Sequence, residues 1–299
     1  MTPASRRRVD AAMLLLVLLW GVNFPVIKVA FAEIPPFGFN GLRFAIAAVC
    51  LLAILRRLER AWWVDRGHLR GMALLGLLGH VGYQTFFIAG LARTTAGHSA
   101  LILSMVPLFV GALGAALGIE RPSSRMWVGL ALAFAGVFIL IRGRGALVLG
   151  QSTAVGDLLT LGASVCWAAY TVLSRPFLTR LSPLRLTTVT LVLALPVLLA
   201  LALPGLSRLR WTDVTPKAWA ALAFSSIFAI VISYVIWYTS VQTLGSARTA
   251  AFSNLIPVVA LLAASVLLGE PLGPAQILGA AVVLAGVWLA RSGRRAVQV

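Results

Sequence analysis

Long apolar runs alternate with short polar breaks along nearly the whole chain. Ten runs stand out, at about 11–31, 38–55, 69–91, 97–118, 124–141, 155–174, 184–203, 217–243, 247–268 and 274–290. Most approach the roughly 20 helical residues that cross the hydrocarbon slab of a bilayer. In lipid every backbone donor and acceptor must be satisfied within the protein, so such runs are predicted as helices. None alternates with the period of two that a barrel strand would show. The connections, such as Ile34-Pro35-Pro36 and Arg121-Pro122-Ser123, leave no room for a soluble domain. The predicted fold is an all-α integral membrane protein of ten transmembrane helices.

The pattern repeats. Thr95–Gly143 moved forward by 150 residues lands on Gly245–Gly293 without a gap. Pro107, Leu117, Glu120, Gly129, Gly136 and Gly143 then fall on Pro257, Leu267, Glu270, Gly279, Gly286 and Gly293. Upstream the offset is 147, where Trp20, Asn23, Lys28 and Pro36 fall on Trp167, Tyr170, Arg175 and Pro183. A proline, a terminal glutamate and glycines shared at one offset indicate duplication. We expect one five-helix repeat over residues 1–150 and a second over 151–299. Because five is odd, the second copy would enter from the opposite side of the membrane. Two inverted repeats around a central cavity are the architecture of many secondary transporters.

Composition agrees: 60% of the 299 residues are hydrophobic and 11% charged, with a mean hydropathy of +0.97. The net charge of +17 does not imply nucleic acid, because the arginines lie between apolar runs and not along one amphipathic face. Counted by alternate sides of the membrane, 17 Lys and Arg fall with the termini and 6 on the other side, leaving Lys28 and Arg43 inside spans. This bias places both termini in the cytoplasm of a bacterial-type inner membrane. The first run exceeds a signal-peptide core and has a partner in the second half, so it is read as a retained span. Cys50 and Cys166 lie within apolar runs and read as small hydrophobes.

Polar and aromatic residues deep in the spans are the candidates for chemistry. Trp20 and Asn23 share one face of span one, and Trp167 and Tyr170 one face of span six. His80, Tyr83 and Gln84 cluster in span three, and Ser233 and Trp237 share a face of span eight. Pro107 and Pro257 sit in spans four and nine. Each is expected to kink its helix and to leave the carbonyl four residues back, on Leu103 or Ser253, without its partner. Ser104 and Asn254 stand beside those carbonyls. Trp20, Asn23, His80, Tyr83, Gln84, Ser104, Trp167, Tyr170, Ser233, Trp237 and Asn254 are therefore the candidate substrate cavity, and Pro107, Pro257, Leu103 and Ser253 the candidate hinges. Lys28 and Arg43 read as cations snorkelling toward the outer face, with an outer-mouth role beside Glu33 as the alternative. Glu120 and Glu270 read as cap residues fixing the joints to spans five and ten. No acid lies in mid-span, which disfavours a carboxylate-based sodium or proton site. No catalytic constellation, metal-ligand spacing or cofactor motif is present.

Trp20-Gly21-Val22-Asn23-Phe24, followed by Lys28, Pro35-Pro36 and Arg43, resembles the first-span signature of EamA-type members of the drug/metabolite transporter superfamily. The Pro107…Glu120 and Pro257…Glu270 copies resemble that family's repeat, and among its branches the chain is most similar to the YddG-like aromatic amino-acid exporters. The resemblance implies a cavity bordered by spans one, three, four, six, eight and nine. It also implies export of amino acids, aromatic or otherwise apolar, or of similar small metabolites by alternating access. The alternatives are a multidrug or quaternary-amine exporter, or, from another class, a membrane enzyme or signalling protein. The implied partners are a small-molecule substrate and the lipid bilayer. A monomer fits this picture, and the sequence leaves the oligomeric state open.

Overall fold

The computed structural model describes residues 3–59, 64–93, 99, 102–120, 122–142, 151–259, 262 and 273–292. Among them there are helices and connections but no strand. Among the described residues helices lie at these places: α1 Pro3–Phe31, α2 Pro36–Leu58, α3 Arg66–Leu91, α4 Val106–Ala116, α5 Ser124–Arg142, α6 Gln151–Ser174, α7 Pro183–Leu206, α8 Pro216–Leu244, α9 Ser246–Ala250 and α10 Pro274–Ser292. Seven of these places hold a helix long and apolar enough to cross a membrane, and α4 and α5 contribute shorter apolar stretches. The far half of span nine, with Leu267 and Glu270, lies outside the described residues. Proline opens α2, α7, α8 and α10. There its missing N–H would have had no helical partner and its fixed φ suits the first turn. Leu14, Val49, Leu158, Ile277 and Trp288 are exposed, the arrangement of a protein whose solvent is lipid. The chain is a multi-pass membrane protein.

Two compact units can be separated, residues 1–85 with 176–242 and residues 86–175 with 243–299. Each draws on both halves of the sequence. In the first unit α2 and α7 run antiparallel. A Cβ at Gly38 would lie 2.9 Å from Leu206 Cδ2, and one at Gly41 would overlap Ala202. At the far end Glu59 accepts from Ser182 Oγ, and Arg185 Nε reaches its carboxylate at 2.9 Å. In the second unit α5 and α10 run antiparallel at backbone contact. A Cβ at Gly129 would meet the Gly286 carbonyl, one at Gly136 the Gly279 carbonyl, and one at Gly286 the Gly129 carbonyl. Small residues at these positions let two helices approach where lipid supplies no hydrophobic drive.

Equivalent positions meet across the packing of α5 on α10. Gly129 and Gly279 are 150 residues apart, as are Gly136 and Gly286, so Gly129 against Gly286 and Gly136 against Gly279 are one contact seen twice with the copies exchanged. The helix ends follow the same offset: α5 spans Ser124–Arg142 and α10 Pro274–Ser292. So do two local irregularities. A π-helical turn interrupts α3 at Leu77–Gly82 and α8 at Ile227–Ile232.

Two expectations need correction. Pro107 and Pro257 do not kink continuous helices. Pro107 is the second residue of α4, after a turn through Ser104–Met105, and Pro257 follows a 3-10 turn at Ala251–Leu255. Both spans are broken at the proline, where its missing N–H falls in a first turn and costs little. Nor is the Ser253 carbonyl left without a partner, because the tighter turn gives it the Ile256 N–H.

Glu120 was expected to fix the joint between α4 and α5. It acts farther away. Its carboxylate accepts from Ser246 N at 2.5 Å and Ala247 N at 3.1 Å, capping α9, and it pairs with Arg175 at the end of α6. Gly245 precedes that helix at φ +93, and a Cβ there would lie 3.1 Å from the Glu120 carboxylate.

Candidate functional site

Seven of the predicted cavity residues belong to the first unit. Trp20, on α1, donates Nε1–H to the Ala229 carbonyl at 2.9 Å. Ala229 lies in the π turn of α8, where the widened backbone leaves carbonyls out of the regular ladder. Trp20 also stacks at a tilt on Trp237, 5.3 Å between centroids, and meets Tyr234 edge-on at 6.3 Å. Trp237 is fully buried. His80, in the π turn of α3, lies parallel to Tyr234 at 5.7 Å. Its Nε2 is 3.0 Å from Thr190 Oγ1, which in turn is 2.9 Å from the Leu186 carbonyl. With the Thr190 hydrogen on that carbonyl, the hydroxyl oxygen accepts from His80 Nε2–H. Gly76 lets α3 approach this part of α7, since a Cβ there would overlap the Thr190 carbonyl. Gln84 Nε2 donates to Tyr234 Oη at 3.3 Å. Asn23 Oδ1 is buried without a hydrogen-bond partner among the described residues. Ser233 gives its hydroxyl hydrogen to the Phe228 carbonyl at 2.7 Å, and so serves its own helix. Tyr83 lies one position before Gln84, at the first residue after the π turn.

The other four lie in the second unit. Trp167 and Tyr170 meet edge-on at 5.8 Å on α6, and both are buried. Ser104 is buried at the break before α4. Asn254, at the break in span nine, is 1% exposed and its Oδ1 has no hydrogen-bond partner among the described residues. The hinge candidates Leu103, Pro107, Ser253 and Pro257 flank these two breaks.

Two residues outside the predicted cavity join the first unit's cluster. Tyr234 touches Trp20, His80 and Gln84 at once. The offset of 150 that pairs it with Gln84 was the available signal. Arg43 is the larger surprise. It does not snorkel, being only 3% exposed. Its Nε donates to Asn40 Oδ1 at 3.0 Å, Nη1 to Ser225 Oγ at 3.2 Å and Nη2 to Gln84 Oε1 at 2.6 Å. The guanidinium also lies 5.7 and 5.5 Å from the ring centroids of Phe39 and Phe44. Glu33, its suggested companion, instead caps α8 by accepting from Thr215 N at 2.7 Å. The Lys28 side chain lies outside the described residues. A cavity of about 400 Å³ occurs at the α6–α7 connection, lined by His68, Pro176, Phe177, Thr179, Arg180 and Leu181. It contains none of the predicted site residues. Among the described residues no cluster of His, Cys, Asp and Glu has metal-binding geometry.

Comparison with known proteins decides the lineage. The EamA-like transporter family matches twice, over residues 7–142 and 154–292. The chain belongs to the EamA-like transporter family. Its relatives in that family include a protein of Salmonella typhimurium (strain LT2) named "Probable amino-acid metabolite efflux pump", 32% identical over 92% of each chain. A protein of the same name from Escherichia coli (strain K12) is 30% identical over 98% of this chain and 99% of its own. "Uncharacterized transporter YyaM" of Bacillus subtilis (strain 168) is 30% identical over 89% of this chain and 88% of its own. One crystal structure has the same fold at a TM-score of 0.80, covering 95% of this chain and 96% of that one with 21% sequence identity. The names of this EamA chain's relatives are those of transporters, not of enzymes.

Proposed function

We propose that the chain exports amino acids with aromatic or other apolar side chains, or similar small metabolites, across the cytoplasmic membrane by alternating access. The observation that carries this reading is the cluster of Trp20, His80, Gln84, Tyr234 and Trp237. It joins indole and phenol faces to amide and imidazole hydrogen-bonding groups inside membrane-spanning helices. Polar groups at such depth are costly unless they face a partner or a wet path. Rings would hold an apolar substrate side chain, and their faces attract an ammonium group. Two relatives named as amino-acid metabolite efflux pumps support the substrate class. Ser104, Trp167, Tyr170 and Asn254 belong to the same proposal as substrate contacts, with the breaks at Pro107 and Pro257 as hinges.

The transport scheme is that of two inverted repeats of five spans each, 1–150 and 151–299. Supporting it are the antiparallel packing of α5 on α10 through equivalent glycines and the π turns 150 residues apart. Both termini are proposed to face the cytoplasm. Single cysteines introduced near residues 5 and 297, in a background without Cys50 and Cys166, should react with a membrane-impermeant maleimide only after the cells are opened. Labelling of one but not the other in intact cells overturns the even number of spans, and labelling of both overturns the cytoplasmic placement of the termini.

Transport itself is tested in proteoliposomes loaded with radiolabelled phenylalanine, tryptophan, leucine and threonine. Removing one ring of a stacked pair forfeits about 1.4 kcal/mol or more, which is about tenfold in affinity. Trp20→Ala and Trp167→Ala should each lower transport of the best substrate by about that factor, and Asn254→Ala, which removes a hydrogen-bonding amide, should lower it as well. Unchanged rates in folded protein would remove the residue from the site. The buried Arg43 and the absence of a mid-span acid disfavour a quaternary-amine exporter.

A further inference from the structure

Arg43 is a full positive charge inside a membrane-spanning helix, and its three recorded partners are all neutral. Among the described residues no carboxylate lies within ion-pair distance of it. The paired acids are committed elsewhere, Glu59 to Arg185, Glu120 to Arg175 and Asp213 to Arg210. A guanidinium keeps its proton in proteins, so it does not escape the cost of burial by neutralising. Buried charges are ordinarily compensated by an opposite charge, because desolvation is expensive and a hydroxyl or amide oxygen repays only part of it. Among the described residues that opposite charge is absent.

The surroundings of the guanidinium point to what would complete it. Three of its five N–H groups are used, by Asn40, Ser225 and Gln84. Gln84 links it directly to the aromatic cluster, since its Oε1 accepts from Arg43 and its Nε2 donates to Tyr234. Tyr234 in turn lies on His80 and against Trp20. A fork of donors thus stands one amide away from a wall of rings. Gln84 is two residues beyond one π turn, and Ser225 two residues before the other. Both thus flank π turns, an irregularity frequent at functional sites. An oxyanion in place of a neutral acceptor would bring the opposite charge that the site lacks, and its paired oxygens match the planar fork of guanidinium donors.

We propose that Arg43 binds the carboxylate of the transported molecule, the rings of Trp20, Tyr234 and Trp237 taking its apolar part, so that the substrate class is small aromatic or apolar carboxylates. This rests on the transport reading above and adds the group that would select among substrates.

The test uses the full chain in proteoliposomes and four compounds. Phenylalanine carries ammonium and carboxylate, 3-phenylpropionate only the carboxylate, phenethylamine only the ammonium, and phenyl phosphate a different oxyanion. Uptake and ligand-induced thermal stabilisation are both read. The wild type should prefer phenylalanine and 3-phenylpropionate over phenethylamine by about tenfold or more. In Arg43→Gln that preference should shrink to within about twofold while phenethylamine uptake persists. Arg43→Lys, which keeps the charge without the fork, should retain an intermediate preference. It carries the test if the glutamine variant does not fold. The proposal is overturned if Arg43→Gln, or Arg43→Lys in its place, lowers all four compounds equally, which marks a purely structural cation, or leaves the preference intact. It also falls if the wild type handles only phenethylamine, favours phenyl phosphate through Arg43, or responds to none of the four. Arg43-dependent uptake of 3-phenylpropionate without phenylalanine would sink the amino-acid reading and leave the carboxylate anchor standing.

Discussion

Glu120→Ala is expected to destabilise the protein more than any other single removal of a charge. The carboxylate is 6% exposed, accepts from Ser246 N and Ala247 N, and pairs with Arg175. Alanine leaves two backbone donors at the start of α9 and a guanidinium without their acceptor. Breaking a buried pair costs about 3–5 kcal/mol. Arg175 is partly exposed, at 17%, so water recovers some of this and about 2–4 kcal/mol remains. That corresponds to a fall in Tm of roughly 5–10 °C for a chain of this size. Arg175→Ala should cost less, because Glu120 keeps its two N–H donors and the positive end of the helix. Thermal unfolding of the two variants in one detergent checks the order. Equal effects, or a larger effect of Arg175→Ala, would show that the ion pair and not the cap holds α9.

Gly136→Leu should be more damaging still to the packing of α5 on α10. A Cβ at Gly136 would lie 2.6 Å from Val283 N and 2.9 Å from the Gly279 carbonyl, both backbone atoms that no rotamer change can move aside. Overpacking typically costs about 1–3 kcal/mol when side chains can adjust. Here the helices themselves must separate, and Ala133, Val137, Val283 and Val287, buried together at this crossing, lose contact with them. We expect about 3 kcal/mol or more, seen as loss of monodisperse protein after extraction from the membrane. Gly67→Ala is the control. Nothing lies within 4 Å of its Cβ position, and alanine in a helix is favoured over glycine by roughly 0.5–1 kcal/mol. A Gly136→Leu protein as stable as the Gly67→Ala protein would mean that α5 and α10 do not touch at these glycines.

These two experiments probe opposite kinds of information. The glycine contact was foreshadowed by the repeat, since Gly129, Gly136, Gly279 and Gly286 recur at one offset, although which glycine faces which was not. The reach of Glu120 was invisible. Its neighbours in sequence, Pro122 and Ser123, suggested a local turn, whereas its partners lie 55, 126 and 127 positions away.

The same division runs through the whole protein. The seven long apolar helices were legible from the sequence alone, because the length of an apolar run and the prolines that open it act locally. The duplication was legible too, because offsets need no geometry, and the first-span signature correctly indicated the family. Membership of Trp20, His80, Gln84 and Trp237 in one polar and aromatic cluster was anticipated from depth and face. Three things were decided only in three dimensions. The breaks before Pro107 and Pro257 replace kinks, and at Pro257 a tight turn gives the Ser253 carbonyl a partner that a straight helix would deny it. The π turns of α3 and α8 leave no mark in the hydrophobic pattern. Arg43 looked like a surface cation because a lone arginine near the end of an apolar run usually snorkels. Its burial depends on Asn40, Gln84 and Ser225, contributed by three helices, meeting at one point, and only folding brings them there.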